Sequence, residues 1–151
     1  MGKFSYHPSV SWNAGEEHHP ARLASWRAMN ALAIKNKDDY VSLYAPSGGI
    51  EDPVGPSLYD PAGEGHYGRD RLSEFWDKAI EPIGSFTFVI SDSFVSGCEA
   101  ANVGKVTLSL GDGQIMDAEG VFHYKVNAEG LLVSIRTFWE LERAMKTMRE
   151  R

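Results

Sequence analysis

The sequence is short of the residues that would staple it covalently or hold it to a membrane or to nucleic acid. A single cysteine, Cys98, stands among 151 residues. That excludes an intramolecular disulfide and a cysteine-rich zinc site. No histidine or lysine signature of a nucleophile surrounds it, so Cys98 reads as a small buried side chain. No stretch has the length and apolarity of a membrane span, and the N-terminus lacks the basic start and apolar run of a signal peptide, so the expected location is cytoplasmic. Positive charge is also scarce: 15 Lys and Arg face 21 Asp and Glu, for a net charge of -6. This balance speaks against nucleic acid as a partner. Basic residues gather only between Arg143 and Arg151, interleaved with Glu142 and Glu150, as on a solvated helix face. Internal repeats and low-complexity segments are missing. His18 and His19 are adjacent, cannot easily converge on one metal, and read as a surface pair. No metal or other cofactor is expected.

What is present is an ordinary globular composition, long enough to bury a core as one domain. Residues 1–19 read as an irregular arm pinned by Phe4, Tyr6 and Trp12, and residues 20–151 as the domain. Pro20 suits a first helical position. Leu23, Trp26, Met29 and Ala33, with Ala24, Ala28 and Leu32, make 20–36 a helix apolar over much of its girth, hence buried on more than one side. Asp38 or Asp39 caps a second, short helix carrying Tyr40, Val41, Leu43 and Tyr44. The long loop from Gly55 to Gly68 has the length of a functional cover. Leu72, Phe75, Trp76, Ala79 and Ile80 then follow the helical period and predict a helix over 69–80, stopped before Pro82.

From there the period changes to two. Phe86, Phe88 and Ile90 share one face of a strand, as do Val106, Leu108 and Leu110 of the next. Phe122, Tyr124 and Val126 oppose Val121, His123 and Lys125, and Leu131, Val133 and Ile135 oppose Leu132, Ser134 and Arg136. Turn residues sit at Gly111-Asp112-Gly113 and Asn127-Ala128-Glu129-Gly130. A last helix over 140–151 places Leu141, Met145 and Met148 on one face. Helices followed by an antiparallel meander make an α+β pattern, in which a curved sheet wrapped by helices encloses a pocket.

The stretch with chemistry is Ile50-Glu51-Asp52-Pro53-Val54-Gly55. It delivers two carboxylates to a strand end, where the proline forces a turn and holds Asp52 extended. That is a good mount for a working carboxylate, or simply the start of an Asp-Pro turn. The aromatic residues Tyr44, Phe75, Trp76, Phe86, Phe88, Phe122, Tyr124 and Trp139 suit an apolar cavity with Asp52 at its wall, or mutual packing alone.

On these residues the sequence resembles the ketosteroid isomerases, within the nuclear-transport-factor-like and SnoaL-like superfamily. Asp39-Tyr40-Val41-Ser42-Leu43-Tyr44-Ala45 and the Ile50–Gly55 stretch resemble the family's second helix and base-bearing strand. Gly68-Arg69-Asp70-Arg71-Leu72-Ser73-Glu74-Phe75-Trp76 resembles its third helix. Val121 to Asn127 and Val133 to Trp139 resemble its last two strands, so coverage runs from about Pro20 to Leu141. The resemblance implies a cone-shaped curved antiparallel sheet wrapped by three N-terminal helices, here with an additional C-terminal helix, and a homodimer through the sheet.

It also implies a role for Asp52. In the ketosteroid isomerases, themselves the worked case for this chemistry, an aspartate base moves a proton beside an oxyanion hole of one tyrosine and one protonated aspartate. Carried over by motif, Asp52 is the base, acting on a 3-ketosteroid or similar flat apolar ketone. Aligned back from Asp52 without a gap, the first-helix tyrosine falls on Ala28, the oxyanion aspartate on Phe122 and the third-helix tyrosine on Trp76. Only the second-helix aromatic is kept, as Tyr44. Losing one such donor costs about 10²–10³ in rate, and Tyr44, Trp26 and Trp139 are the candidate replacements. Tyr44, Trp76, Phe122, Tyr124, Trp139 and Trp26 form the expected ligand-binding set. His123 and Glu119 fall on the face opposite Tyr124 and point outward. Three readings stand: an isomerase or a polyketide cyclase- or dehydratase-like enzyme, a steroid or apolar small-molecule binder without turnover, and an interaction module with a vestigial pocket.

Overall fold

The computed structural model describes residues 4–151. Helix α1 spans Pro20–Ala33. The His19 ring accepts the Ala21 N–H at 3.0 Å, and Pro20 needs no such acceptor. Helix α2 (Lys37–Ser42) is capped by Asn36, whose side-chain oxygen accepts the Asp39 N–H at 3.0 Å. Asp38 and Asp39 therefore occupy the first turn, where their charge favours the positive helix end, rather than the cap itself. Tyr44 does not belong to that helix: it opens strand β2, Tyr44–Glu51. Helix α3 (Arg69–Phe75) continues as a π-helical turn over Trp76–Ile80, so the sequence-derived helix is right in place and wider in its last turn. Such turns often flank functional cavities.

The remaining strands are β1 (Val10–Trp12), β3 (His66–Tyr67), β4 (Ser85–Ser96), β5 (Glu99–Ser109), β6 (Gln114–Val126), β7 (Leu132–Phe138) and β8 (Arg149–Glu150), with helix α4 at Leu141–Met145. The sheet is curved, unclosed and mixed, in the order β1-β4-β5-β6-β7-β2-β3, with β8 on β6. Strands β4 to β7 form the expected antiparallel meander, whereas β1 joins β4 and β2 joins β7 in parallel. The N-terminal arm is thus not irregular throughout, because its Val10–Trp12 segment completes a sheet edge. Its first three residues lie outside the described ones.

Beside β7, strand β2 runs unusually close to its neighbours. A Cβ on Gly48 would lie 2.3 Å from the Leu132 carbonyl oxygen, and one on Gly49 would lie 2.1 Å from that of His66. Only glycine fits, and the register slips between Tyr44 and Gly49. The core forms where α1 and α3 close over the concave face. Ala28 and Met29, Leu72 and Phe75, and Phe86, Phe88, Ile90, Phe122 and Tyr124 are all buried there.

Three further expectations need correcting. Val133 is exposed while Leu132 and Ile135 are buried, because a register shift at Lys125/Val126 breaks the period of two. The C-terminal helix ends after five residues and the chain returns as β8, leaving Met145 and Met148 exposed. Cys98 is exposed, because it sits in the tight turn between β4 and β5 rather than inside a strand. No helix among the described residues is long and apolar enough to cross a membrane.

Candidate active site

Strand alternation separates the two neighbouring carboxylates. Glu51 turns to one face, where it accepts the Arg136 Nε–H at 3.0 Å and the Tyr67 hydroxyl at 2.6 Å. Asp52 turns to the other. Because β7 runs parallel to β2 with Arg136 opposite Glu51, the following residues of β7 arrive beside Asp52. The Thr137 hydroxyl donates to Asp52 Oδ1 at 2.5 Å and the Trp139 indole N–H donates to the same oxygen at 2.7 Å. Two donors from one strand end thus converge on a single carboxylate oxygen. Among the described residues nothing donates to Oδ2, so one oxygen is held and the other is left for a ligand.

Asp52 stands at the junction of two chambers of one cleft. The inner chamber, about 100 Å³, is walled by Ala28, Tyr40, Phe122, Tyr124 and Thr137. The outer one, about 500 Å³, is walled by Pro56, Leu58, Tyr59, Met116 and Leu141. Asp52 and Trp139 belong to both, as do Phe75 and Phe86. Leu58 and Tyr59 are exposed on the 55–68 loop, at the mouth of the outer chamber. Asp60 pins that loop by accepting the backbone N–H groups of Gly65 at 2.8 Å and Glu64 at 3.1 Å. Among the described residues no cluster of His, Cys, Asp and Glu has the makings of a metal site.

Three buried tyrosines approach the carboxylate. Tyr44 donates its hydroxyl to that of Tyr40 at 2.7 Å. Burial holds the pKa of Tyr40, Tyr44 and Tyr124 well above the ordinary value of 10.0, and the charge of Asp52 pushes each in the same direction. All three are protonated at neutral pH, as hydrogen-bond donors must be.

The sequence-derived set divides. Asp52, Phe122, Tyr124 and Trp139 line the cavity. Tyr44 stands one hydroxyl behind it, and Trp76 packs on Tyr40 at 5.3 Å between ring centroids while its indole N–H donates to Glu81. Trp26 lies on another side of α1, against Phe4, Tyr6 and Trp12, so its indole is no candidate for the cavity. Two residues were missed. The i, i+4 spacing of Tyr40 and Tyr44 and the alternation from Thr137 to Trp139 were the available signals.

The profile of the SnoaL-like domain matches residues 26–135. The chain belongs to the SnoaL-like domain family. This SnoaL-like chain is 30% identical over 118 residues to Steroid Delta-isomerase of Nocardioides simplex, covering 78% of the chain and 88% of that relative. The crystal structure of RV0760c from Mycobacterium tuberculosis superposes with a TM-score of 0.79 at 28% identity, over 89% of this chain and 98% of that one. That protein has also been solved in complex with estradiol-17beta-hemisuccinate, at a TM-score of 0.77 over 87% of this chain and 99% of that one. Delta 5-3-ketosteroid isomerase from Mycobacterium sp. superposes with a TM-score of 0.78 at 25% identity, over 89% and 100% of the two chains.

Proposed function

We propose that this protein is a ketosteroid-isomerase-like enzyme that moves a proton on a 3-ketosteroid or a similar flat apolar ketone, with Asp52 as the base. The observation that carries the reading is the carboxylate itself, fixed through one oxygen by Thr137 and Trp139 with the other oxygen unclaimed at an apolar cavity wall. A half-buried carboxylate held through one oxygen can accept a proton on the other without losing its place. In the proposed step Oδ2 takes a proton from the carbon alpha to the ketone. The C–H electron pair enters a dienolate whose charge gathers on the carbonyl oxygen. The protonated Asp52 then returns the same proton to a carbon further along the conjugated system, and the carbonyl re-forms. A positioned base of this kind contributes about 10²–10⁴ in rate.

Asp52→Asn should abolish the ultraviolet signal of Δ5-to-Δ4 conversion and leave steroid binding intact. Unchanged turnover would sink the assignment of the base. A second reading, binding without turnover, is favoured by one observation: Ala28 and Phe122 wall the inner chamber where the isomerases carry their oxyanion donors. Wild-type binding with no conversion would select it. We further propose a homodimer through the outer face of the sheet, supported by exposed Val121 and Phe138, which pair across β6 and β7, and by exposed Val133. Phe138→Lys should then shift the sedimenting species to monomer. A wild-type protein that is already monomeric would refute that arrangement.

A further inference from the structure

The inner chamber can be taken donor by donor. Its walls carry five side chains with polar atoms: Tyr40, Asp52, Tyr124, Thr137 and Trp139. Asp52 is an acceptor. The Thr137 hydroxyl and the Trp139 indole are already spent on its Oδ1. Tyr44 donates into the Tyr40 oxygen, so the Tyr40 proton points away from Tyr44. Among the described residues neither Tyr40 nor Tyr124 donates to any protein acceptor, although both are buried and both line the cavity. Two O–H donors thus line one small, largely apolar space without a hydrogen bond to any acceptor of the fold, and a buried donor in that condition favours a ligand that brings an acceptor within reach.

We propose that Tyr40 and Tyr124 receive the ligand's oxygen in the inner chamber, with Tyr44 as the positioning residue that orients the Tyr40 hydroxyl. The inference rests on the reading of Asp52 as the base and supplies the partner that reading lacks. The charges agree with it. A neutral ketone enters beside the Asp52 carboxylate; as the proton passes to Asp52, the negative charge passes to an oxygen held by two donors. The cavity remains singly negative throughout. A ligand ending in a carboxylate would instead meet Asp52 with like charge, so the inner chamber selects a neutral oxygen, ketone or phenol. Size acts in the same direction. About 100 Å³ is well below the several hundred that enclose a drug-sized ligand, so only the oxygen-bearing end enters and the rest occupies the outer 500 Å³.

The test uses two probes titrated by tryptophan fluorescence: estradiol, with a phenol at one end, and its 3-deoxy analogue, which lacks that oxygen. The wild type should prefer estradiol by tenfold or more, by about the worth of two hydrogen bonds. Tyr40→Phe and Tyr124→Phe should each erode that preference while binding of the deoxy analogue is unchanged. Tyr44→Phe should erode it less, and Phe at 124 cannot unfold the chain by orphaning a partner, since Tyr124 has none. Where the wild type turns over 5-androstene-3,17-dione, the two donor variants should lower kcat by about 10²-fold with KM little changed. Equal affinity of the wild type for both probes, no binding of either, or an undiminished preference in both Phe variants would overturn the assignment. Asp52→Asn separates this inference from the one beneath it: the base can fail while the phenol preference stands, and the preference can fail while Asp52 still carries turnover.

Discussion

Two polar clusters are buried between α1 and the sheet, and they are finished differently. In the first, Arg22 of α1 donates to the hydroxyl and the carbonyl of Ser93, both at 3.1 Å. The same hydroxyl donates to Asn102 at 2.8 Å, and Asn102 donates in turn to Ser25 at 3.0 Å. Ser25 closes the circuit on the Arg22 carbonyl at 2.7 Å. In the second, Asp52 keeps one oxygen unclaimed and two tyrosine hydroxyls find no protein acceptor. A saturated network fixes α1 on β4 and β5 and has nothing left to offer a ligand. An unsaturated one is stabilised only when something enters. The same residue types make architecture in one place and a receptor in the other, and the difference lies in which donors and acceptors remain unspent.

The comparison can be broken from either side. Asn102→Ala should have the largest effect on stability, since in the interior it removes the acceptor of the Ser93 hydroxyl and the donor to Ser25: about 1–3 kcal/mol by urea unfolding, with estradiol affinity essentially unchanged. Equal losses of stability and affinity would mean the two clusters are one. Tyr124→Phe should do the reverse, leaving the unfolding midpoint unchanged or slightly raised, because the hydroxyl it removes has no protein partner.

The smallest effect concerns His66, whose ring packs at a tilt against Phe75, 4.6 Å between centroids, beside the cavity. Burial lowers its pKa below the ordinary 6.5; Asp60 and Asp52 oppose that, and Lys78 and Arg71 reinforce it. The sign follows from the depressed folded value. The unfolded chain binds the proton more readily, so stability is fully present above pH 6.5 and is lost as pH falls through the folded value. His66→Gln should flatten the acid side of the Tm-against-pH curve below pH 6.5. An unchanged slope there would assign the acid sensitivity elsewhere.

Much of this was legible along the chain, and the exceptions have physical causes. The α3 stripe and the alternation in β4 and β6 mark their buried faces, because each element buries one face against the same core. Asp52 could be read because Pro53 dictates the local backbone. The β1 and β8 pairings could not, since each joins segments far apart in sequence with no hairpin turn linking the two strands directly. Val133 was misjudged because a bulge is a property of two strands, invisible in one. Trp26 and Trp76 were misjudged because helix periodicity says that a side chain is buried but not whether it meets a cavity or another side chain. Tyr40 sits in the matched motif, but only its contact with Tyr44 shows where its own proton is free to go.

The central claim is that the unclaimed oxygen of Asp52 moves a proton on a ligand seated beneath Tyr40 and Tyr124. The most direct measurement follows 5-androstene-3,17-dione by ultraviolet absorbance with wild type and Asp52→Asn, alongside estradiol binding to both. The account predicts conversion by the wild type, its loss in Asp52→Asn, and estradiol affinity retained in both. Conversion that survives the substitution would contradict it.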